Sequence, residues 1–375
     1  MTIGILKEKD YEKRIALLPE SISNLINLKT DVLIEKNAWE GVYLSDKDYE
    51  SIGTKIVSRE DILQCDCIVM INPPEPEDIR AMKENSVIIG VLNPYFNSDL
   101  IKIMAEKNIT SFSLEMLPRT TRAQSMDILS SMATVAGYKA VLEAANLLPK
   151  FFPMFMTAAG TITPAKVLIL GAGVAGLEAV AISRKLGAVV EVFDVRSAVK
   201  EEVMSLGAKF IEVEGAMEEK SAGGYAVEQS EEFKQKQSIL IQEHAAKSDV
   251  VISTAQIPGK KAPVLIKKET VENMKPGSVI IDLAAVNGGN CELTKNDQLY
   301  IHNGVKIVGK SSYPSEMPVD ASKMYGKNLV NFMKLIINKD GQLNLNFEDD
   351  LVKGTCVTHN GEIVNEKILN TIINQ

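Results

Sequence analysis

Histidine, cysteine and tryptophan are scarce in this sequence of 375 residues, which holds three, four and one of them. The cysteines, Cys65, Cys67, Cys291 and Cys356, are too few for a disulfide framework. The Cys-x-Cys pair has no second pair to complete a zinc site, so reduced structural thiols and no metal centre are expected. A basic excess is missing too. The net charge of −8 works against a polyanionic partner, because phosphate contacts need clustered Lys and Arg. Nucleic acid is therefore not an expected partner. No apolar run reaches the roughly 18 residues of a membrane-spanning helix. The N-terminus MTIGILKEKD turns charged at Lys7 without a secretory apolar core. The expectation is a cytoplasmic chain with no transmembrane segment of its own, which would need a partner to hold it at a membrane.

What is present is ordinary globular composition, 45% hydrophobic and 24% charged, in a chain long enough for two domains. Over the first 115 residues short apolar runs alternate with helix-like stretches. ILKEK, DVLIEK, CIVMI, SVIIGVL and ITSFSLEM read as strands, with helices opened by Pro19, capped by Ser58 with Asp61 three residues on, and following PEPED and Asn97. Such alternation predicts a parallel sheet with helices on both faces. A helical stretch over 126–148, broken only at Gly137, is long enough to join two domains. A second alternating series runs from KVLIL to about Val308, interrupted by the polar insert EGAMEEKSAGGYAVEQSEEFKQKQ. A helix over about 321–337 follows. The tail FEDDLVKGTCVTHNGEIV reads as β-like and is expected to return to the first domain. The fold class is thus α/β, two domains with parallel sheets joined by long helices. The first is expected to comprise 1–130 with 320–375, and the second 131–319.

The strongest motif opens the second series. KVLILGAGVAGL places Gly171, Gly173 and Gly176 in a G-x-G-x-x-G turn between an apolar strand and a helix. Gly171 permits the tight turn, Gly173 lets backbone approach a pyrophosphate, and Gly176 lets helix and strand pack closely. The N–H groups at the helix start, around Val174 and Ala175, hold anionic oxygens. Asp194 ends the next strand, about twenty residues on, where a carboxylate accepts from both ribose hydroxyls and repels a 2′-phosphate. Val195 and Arg196 follow it. Arg196 is the counter-argument, since an arginine can accommodate that phosphate, but the placing of Asp194 favours NAD(H) over NADP(H).

Three further stretches each admit two readings. STAQIPGK follows the strand DVVIS and puts Ala255, Gln256 and Ile257 at the sheet's carboxyl edge, as a nucleotide loop or as an ordinary strand exit. Tyr225, after SAGG in the polar insert, is a lid over a nucleotide or part of a surface loop, in a mobile segment expected over about 214–236. PRTTRAQSMDILSS lies where the first domain ends. There Arg119, Gln124, Asp127 and Ser130 offer donors and acceptors for a nicotinamide, or Ser125 or Asp127 simply caps the helix.

The run RAQSMDILSS, with GAGVAGL, SAGGYA, IPGK and PGSVIIDLA in that order and the tail KGTCVTHNG, resembles proton-translocating NAD(P) transhydrogenase across essentially the whole chain. The likeness is to the soluble NAD(H)-binding component of its alpha subunit. It implies two Rossmann-like domains, a homodimer, and Arg119, Gln124, Asp127 and Ser130 around the nicotinamide. It also implies Tyr225 as the mobile-loop tyrosine and Asp194 as the adenosine-ribose carboxylate. The reaction so implied passes hydride between NADH on this chain and NADP⁺ on a partner component, with proton translocation in a membrane component. The chain would sit peripherally on the cytosolic face of the inner membrane, held by NADP(H)-binding and membrane-spanning subunits. Its ending at Gln375 without spanning helices resembles the split form of the family.

Hydride transfer between two nicotinamides needs apposition and dryness rather than a general base. None of His244, His302 and His359 lies near the proposed site in sequence. Alanine dehydrogenase is a rival with the same fold and cofactor. Arg14 is similar to that family's substrate arginine, but Asn72 stands where its lysine would be, VLNPYFN lacks a histidine, and Val286 stands where a carboxylate is expected. A non-catalytic NAD(H)-sensing protein is the other rival.

Overall fold

The computed structural model describes residues 1–213, 230–257 and 259–373. The chain forms two compact units, 1–132 with 314–375, and 133–313. Both are α/β, and each is built on one large sheet.

In the first unit the described strands lie in the spatial order Glu362–Ile363, Cys356–His359, Thr110–Ser113, Val87–Gly90, Cys67–Val69, Thr2–Ile5, Asp31–Glu35, Lys55–Val57. The six strands drawn from residues 2–113 are mutually parallel. Their order reverses between Thr2–Ile5 and Cys67–Val69, as in doubly wound nucleotide folds. Continuous apolar runs form these strands because both faces are covered. Ile3, Ile5, Val69 and Ile89 enter one core with Trp39, while Ile68 and Ile88 enter the other with Met104. The helix Pro19–Ile26 starts with proline at its first turn, and Ser58 caps Arg59–Leu63 by accepting from the Asp61 N–H. Both follow the expected signals.

The tail departs from its β-like reading. Asp350–Thr355 is helical, capped by Asp349, whose carboxylate accepts the Leu351 N–H at 2.9 Å. Leu351 and Val352 are buried, and an adjacent apolar pair mimics a strand in sequence. The aspartate cap and an acidic first turn decide for helix locally. Only Cys356–His359 and Glu362–Ile363 are strands, and the first pairs antiparallel with Thr110–Ser113. The late helix, Pro318–Ile336, lays Tyr325, Leu329, Phe332 and Met333 into the first unit's core. Its Tyr325 hydroxyl donates to the Met70 carbonyl at 2.7 Å.

The second unit orders its strands Lys209–Ile211, Val189–Phe193, Lys166–Leu170, Val250–Ser253, Val279–Asp282, Val305–Gly309, Gln298–His302. All are parallel except the last, a hairpin partner at the edge. The order again reverses beside the first strand of the series, between Lys166–Leu170 and Val250–Ser253. Val167 and Ile169 point into one core, Leu168 and Leu170 into the other. The helix Ile128–Leu147 carries the chain from one unit to the next. A small hairpin, Phe155–Thr157 with Gly160–Ile162, was not anticipated; Met156 at its edge is exposed. Of the segment expected to be mobile, 214–236, residues 214–229 lie outside the described residues. Residues from Glu231 form the helix Glu231–Lys247, with two glutamates in its first turn and a Glu232–Lys236 ion pair at 2.7 Å. Tyr225 lies outside the described residues. Among the described residues no helix is long and apolar enough to cross a membrane.

Candidate functional site: a dinucleotide crevice

Strand Lys166–Leu170 ends at Gly171, whose φ of +101° is open to glycine at little cost. Its N–H donates to the Phe193 carbonyl at 2.8 Å, tying the turn to the neighbouring strand. Helix Val174–Lys185 begins directly after Gly173. A Cβ on Gly176 would stand 1.8 Å from the Gly171 carbonyl oxygen, so helix and turn approach each other only through glycine. On Gly173 a Cβ would meet nothing within 4 Å. The space in front of that residue is open, as a pyrophosphate resting on backbone requires. The first N–H groups of a helix have no intrahelical partners, and Val174 and Ala175 are the first two residues of this helix. Gly137, the single breaker in the long helix, has a packing reason. A Cβ there would stand 2.2 Å from the Ala175 carbonyl.

Asp194 is buried at the end of Val189–Phe193. Its Oδ2 accepts the Ala172 N–H at 2.7 Å, which braces the glycine turn, and its Oδ1 accepts the Arg196 N–H at 2.8 Å. The Arg196 guanidinium lies on the same carboxylate, with Nε at 2.9 Å from Oδ1 and Nη2 at 2.7 Å from Oδ2. The hydrogen bonds it donates to Asp194 hold the guanidinium above its ordinary pKa. Arg196 is thus turned onto the Asp194 carboxylate. Val195 between them is partly buried.

On the other side of the crevice, Thr254 donates through Oγ1 to the carbonyls of Leu170 and Gly171, each at 3.2 Å. Ala255 is partly buried, and Gln256 and Ile257 are exposed. The Gln256 side chain donates to the Leu283 carbonyl at 2.8 Å. Gly171, Gly173, Val174, Ala175, Gly176, Asp194, Val195, Arg196, Ala255, Gln256 and Ile257 therefore gather at one sheet edge. Thr254, which locks the two loops together, was missed because nothing in its spacing distinguishes it from any residue leaving a strand.

The remaining candidates lie in the first unit. Thr121–Met126 is a 3-10 turn, and Asp127 precedes the helix Ile128–Leu147. Asp127 accepts the Ser130 N–H at 2.9 Å on Oδ1 and the Ser130 hydroxyl at 2.5 Å on Oδ2. That is helix-cap geometry, so the two residues act as one group. Ser125 does not cap. Its carbonyl instead accepts from Asn328 and Asn331 at 2.9 and 3.0 Å, which pins the turn to the late helix. Arg122 pairs with Asp349 and Asp350, so the tail braces the same turn. Arg119 and Gln124 are exposed. Sequence spacing gave no signal for Asn328, Asn331 or Arg122 as supports, since their partners lie some two hundred residues away.

Arg14, the residue similar to the substrate arginine of alanine dehydrogenase, is paired with a carboxylate of its own chain. Arg14 donates to Glu12 through Nε at 2.8 Å and Nη2 at 2.6 Å, and its Nη1 lies 3.0 Å from the Met132 Sδ. Glu12 also accepts from Asn72 at 3.1 Å. The guanidinium fork of Arg14 is engaged by Glu12. Beside it, Glu8 accepts the N–H groups of Ile71 and Asn72 and the Asn72 amide. Burial pushes its carboxyl up to about 7, against those donors. A folded-state pKa above the ordinary carboxylate value stabilises the protonated form. That contribution is complete below about pH 4.5 and is lost as pH rises through 7. The melting temperature should therefore fall by about 3–5 °C between pH 5 and 8, and Glu8→Gln should flatten that slope in a calorimetric series.

A glycine turn opening a helix at the switch point of a parallel sheet, with a carboxylate ending the next strand, defines a dinucleotide-binding fold of the dehydrogenase type. Residues 4–136 match the family description "Alanine dehydrogenase/PNT, N-terminal domain" and residues 140–366 match "Alanine dehydrogenase/PNT, C-terminal domain". The chain belongs to this alanine dehydrogenase/PNT family. It is 43% identical to NAD(P) transhydrogenase subunit alpha of Haemophilus influenzae, over 96% of this chain and 71% of the relative. Alanine dehydrogenase of Staphylococcus epidermidis is 26% identical over 99% of this chain and 96% of its own. The crystal structure of transhydrogenase from Sinorhizobium meliloti superposes with a TM-score of 0.86 at 39% identity, covering 98% of this chain and all of that one (100%). The fold class and the transhydrogenase resemblance both stand, and the chain is an NAD-binding oxidoreductase subunit by kinship.

Proposed function

We propose that this chain is the NAD(H)-binding component of a proton-translocating NAD(P) transhydrogenase. In this reading it acts as a homodimer, peripherally on the cytosolic face of a membrane through NADP(H)-binding and membrane-spanning subunits. The observation that supports the reading is a glycine turn at a helix start with a carboxylate ending the next strand, in a chain whose Arg14 is paired with Glu12. The glycine turn favours a nucleotide cofactor, and the pairing of Arg14 with Glu12 weighs against an amino-acid substrate. Bound in the crevice, NADH would supply the hydride that passes to NADP⁺ on the partner component. The chain's own residues hold and orient. Gly173 and the helix start receive the pyrophosphate, Asp194 the adenosine ribose, and Ala255, Gln256 and Ile257 border the crevice. Arg119, Gln124 and the Asp127–Ser130 pair serve the nicotinamide, and Tyr225 serves as lid. Proton movement is assigned to the membrane component.

Single-turnover transfer from NADH to an NADP⁺ analogue, after mixing the chain with an NADP(H)-binding transhydrogenase component, tests this. Rapid transfer that needs both proteins is expected. Clean NADH binding without transfer, to a partner competent with another donor, would leave only the sensing reading. Asp194→Ala should weaken NADH by about tenfold or more, the loss of a charge-assisted bond pair, and narrow the preference over NADPH. Titration of both nucleotides by fluorescence reads this. Unchanged preference would remove Asp194 from the ribose.

A further inference from the structure

Strand Val250–Ser253 is hydrogen-bonded in register to Val279–Asp282 as far as Ser253 and Asp282. The last backbone bonds at this edge run from the Thr254 N–H to the Leu170 carbonyl at 2.9 Å and from the Leu283 N–H to the Ser253 carbonyl at 3.0 Å, and Ala255 follows directly after them. A side chain takes over. Asn290 is fully buried; its Oδ1 accepts the Ala255 N–H at 3.0 Å and its Nδ2 donates to the Ala255 carbonyl at 2.9 Å. The same Nδ2 donates to the Pro263 carbonyl at 2.8 Å. One primary amide thus pairs with both polar groups of a single residue, as a neighbouring strand would, and clasps the two ends of the segment 255–263.

The amide is itself held. Asp282 Oδ2 accepts the Asn290 N–H at 2.7 Å, the Cys291 N–H at 3.0 Å and the Thr294 hydroxyl at 2.6 Å, while Oδ1 accepts the Ala284 N–H at 3.0 Å. The Asn290 carbonyl accepts from Leu265 and Ile266 at 2.7 and 2.9 Å. The turn that delivers Asn290 passes through Gly289, at φ +80°, where a Cβ would stand 2.8 Å from the Asp282 carboxylate. Buried amides with every donor satisfied have one orientation, because any rotation strands a polar atom away from water. Since Thr254 is bonded to the glycine turn, Ala255 is fixed from both sides of the crevice.

We propose that Asn290 is a positioning residue for the dinucleotide, holding the backbone at Ala255 so that the Ala255–Ile257 loop is set before the nucleotide arrives. The inference rests on the nucleotide reading of the crevice. Without the amide the loop samples other conformations, and the ordering cost is charged to binding.

The test uses the full chain, with NADH binding read by nucleotide fluorescence well below each protein's melting temperature. Wild type, Asn290→Ala and Asn290→Asp are compared, with Ile280→Val as a core control that loses stability elsewhere in the same sheet. The Kd of Asn290→Ala should rise about tenfold or more, the equivalent of one lost positioning bond, while Ile280→Val binds as wild type does. Asn290→Asp supplies a readout that a merely structural role would not move. A protonated carboxylic acid keeps the shape of the amide and its acceptor and supplies one of its two donors, so its affinity should recover part of the way towards wild type from pH 8 to pH 6. Should Asn290→Ala fail to fold, Asn290→Asp against wild type decides alone. Asn290 variants that bind within twofold of wild type at both pH values overturn the inference. Absence of NADH binding by the wild-type chain overturns the nucleotide reading and this inference with it.

Discussion

Replacing Gly176 with alanine should abolish NADH binding and lower the stability of the chain, whereas alanine at Gly173 should abolish binding alone. At Gly176 the added Cβ would stand 1.8 Å from the Gly171 carbonyl oxygen and 2.9 Å from its carbon. Gly171 cannot retreat. Its N–H is bonded to the Phe193 carbonyl, and its own carbonyl receives the Thr254 hydroxyl. The helix Val174–Lys185 must move outward instead, and its first-turn N–H groups leave the place where a pyrophosphate sits. Overpacking of this kind costs about 1–3 kcal/mol, and losing the anion's bonds should raise the NADH Kd by roughly a hundredfold or more. At Gly173 the backbone has φ −78°, which any residue adopts, and a Cβ there meets no protein atom within 4 Å. Alanine should leave the melting temperature unchanged and still exclude the nucleotide, because the methyl occupies the approach. Calorimetry and NADH titration of the two variants separate the effects. A Gly173→Ala chain that binds NADH normally would show that the pyrophosphate does not lie on this turn.

The contrast between these two glycines shows how much of the crevice was legible in sequence. G-x-G-x-x-G and Asp194 are local signals. A turn that needs positive φ, a helix that must touch its preceding strand and a carboxylate ending the next strand all leave their residues at fixed spacing. The parallel sheets were legible for the same reason, since strands covered on both faces read as unbroken apolar runs such as KVLIL and VIIG. The supports were not legible. Thr254, Asn290 and the pair Asn328 and Asn331 act on backbone atoms far along the chain, and an asparagine that bonds a distant carbonyl looks in sequence like one facing solvent. The tail misled in the opposite way. Leu351 and Val352 have the pattern of a strand, and the aspartate that starts their helix is one of two adjacent acids in a run that also holds a glutamate.

Changing Asp127 to asparagine should reduce hydride transfer by about a hundredfold or more, roughly 2.7 kcal/mol of transition-state stabilisation, while NADH affinity stays within about threefold. The structure makes this a clean question, because Asp127 has a visible second occupation as the cap of Ile128–Leu147. Asparagine caps a helix as well as aspartate does. Its carbonyl oxygen can still accept the Ser130 N–H, and its amide can meet the Ser130 hydroxyl, so the local fold survives. What disappears is the negative charge, whose interaction with a helix start is worth about 0.3–1 kcal/mol. The melting temperature should therefore move little, and Asp127→Ala, which loses the cap as well, should move it further. If Asp127 serves the nicotinamide, the asparagine chain will bind NADH and transfer slowly to NADP⁺ on the partner component. An asparagine chain that transfers at the wild-type rate would reduce Asp127 to the helix cap that its bonds to Ser130 already describe.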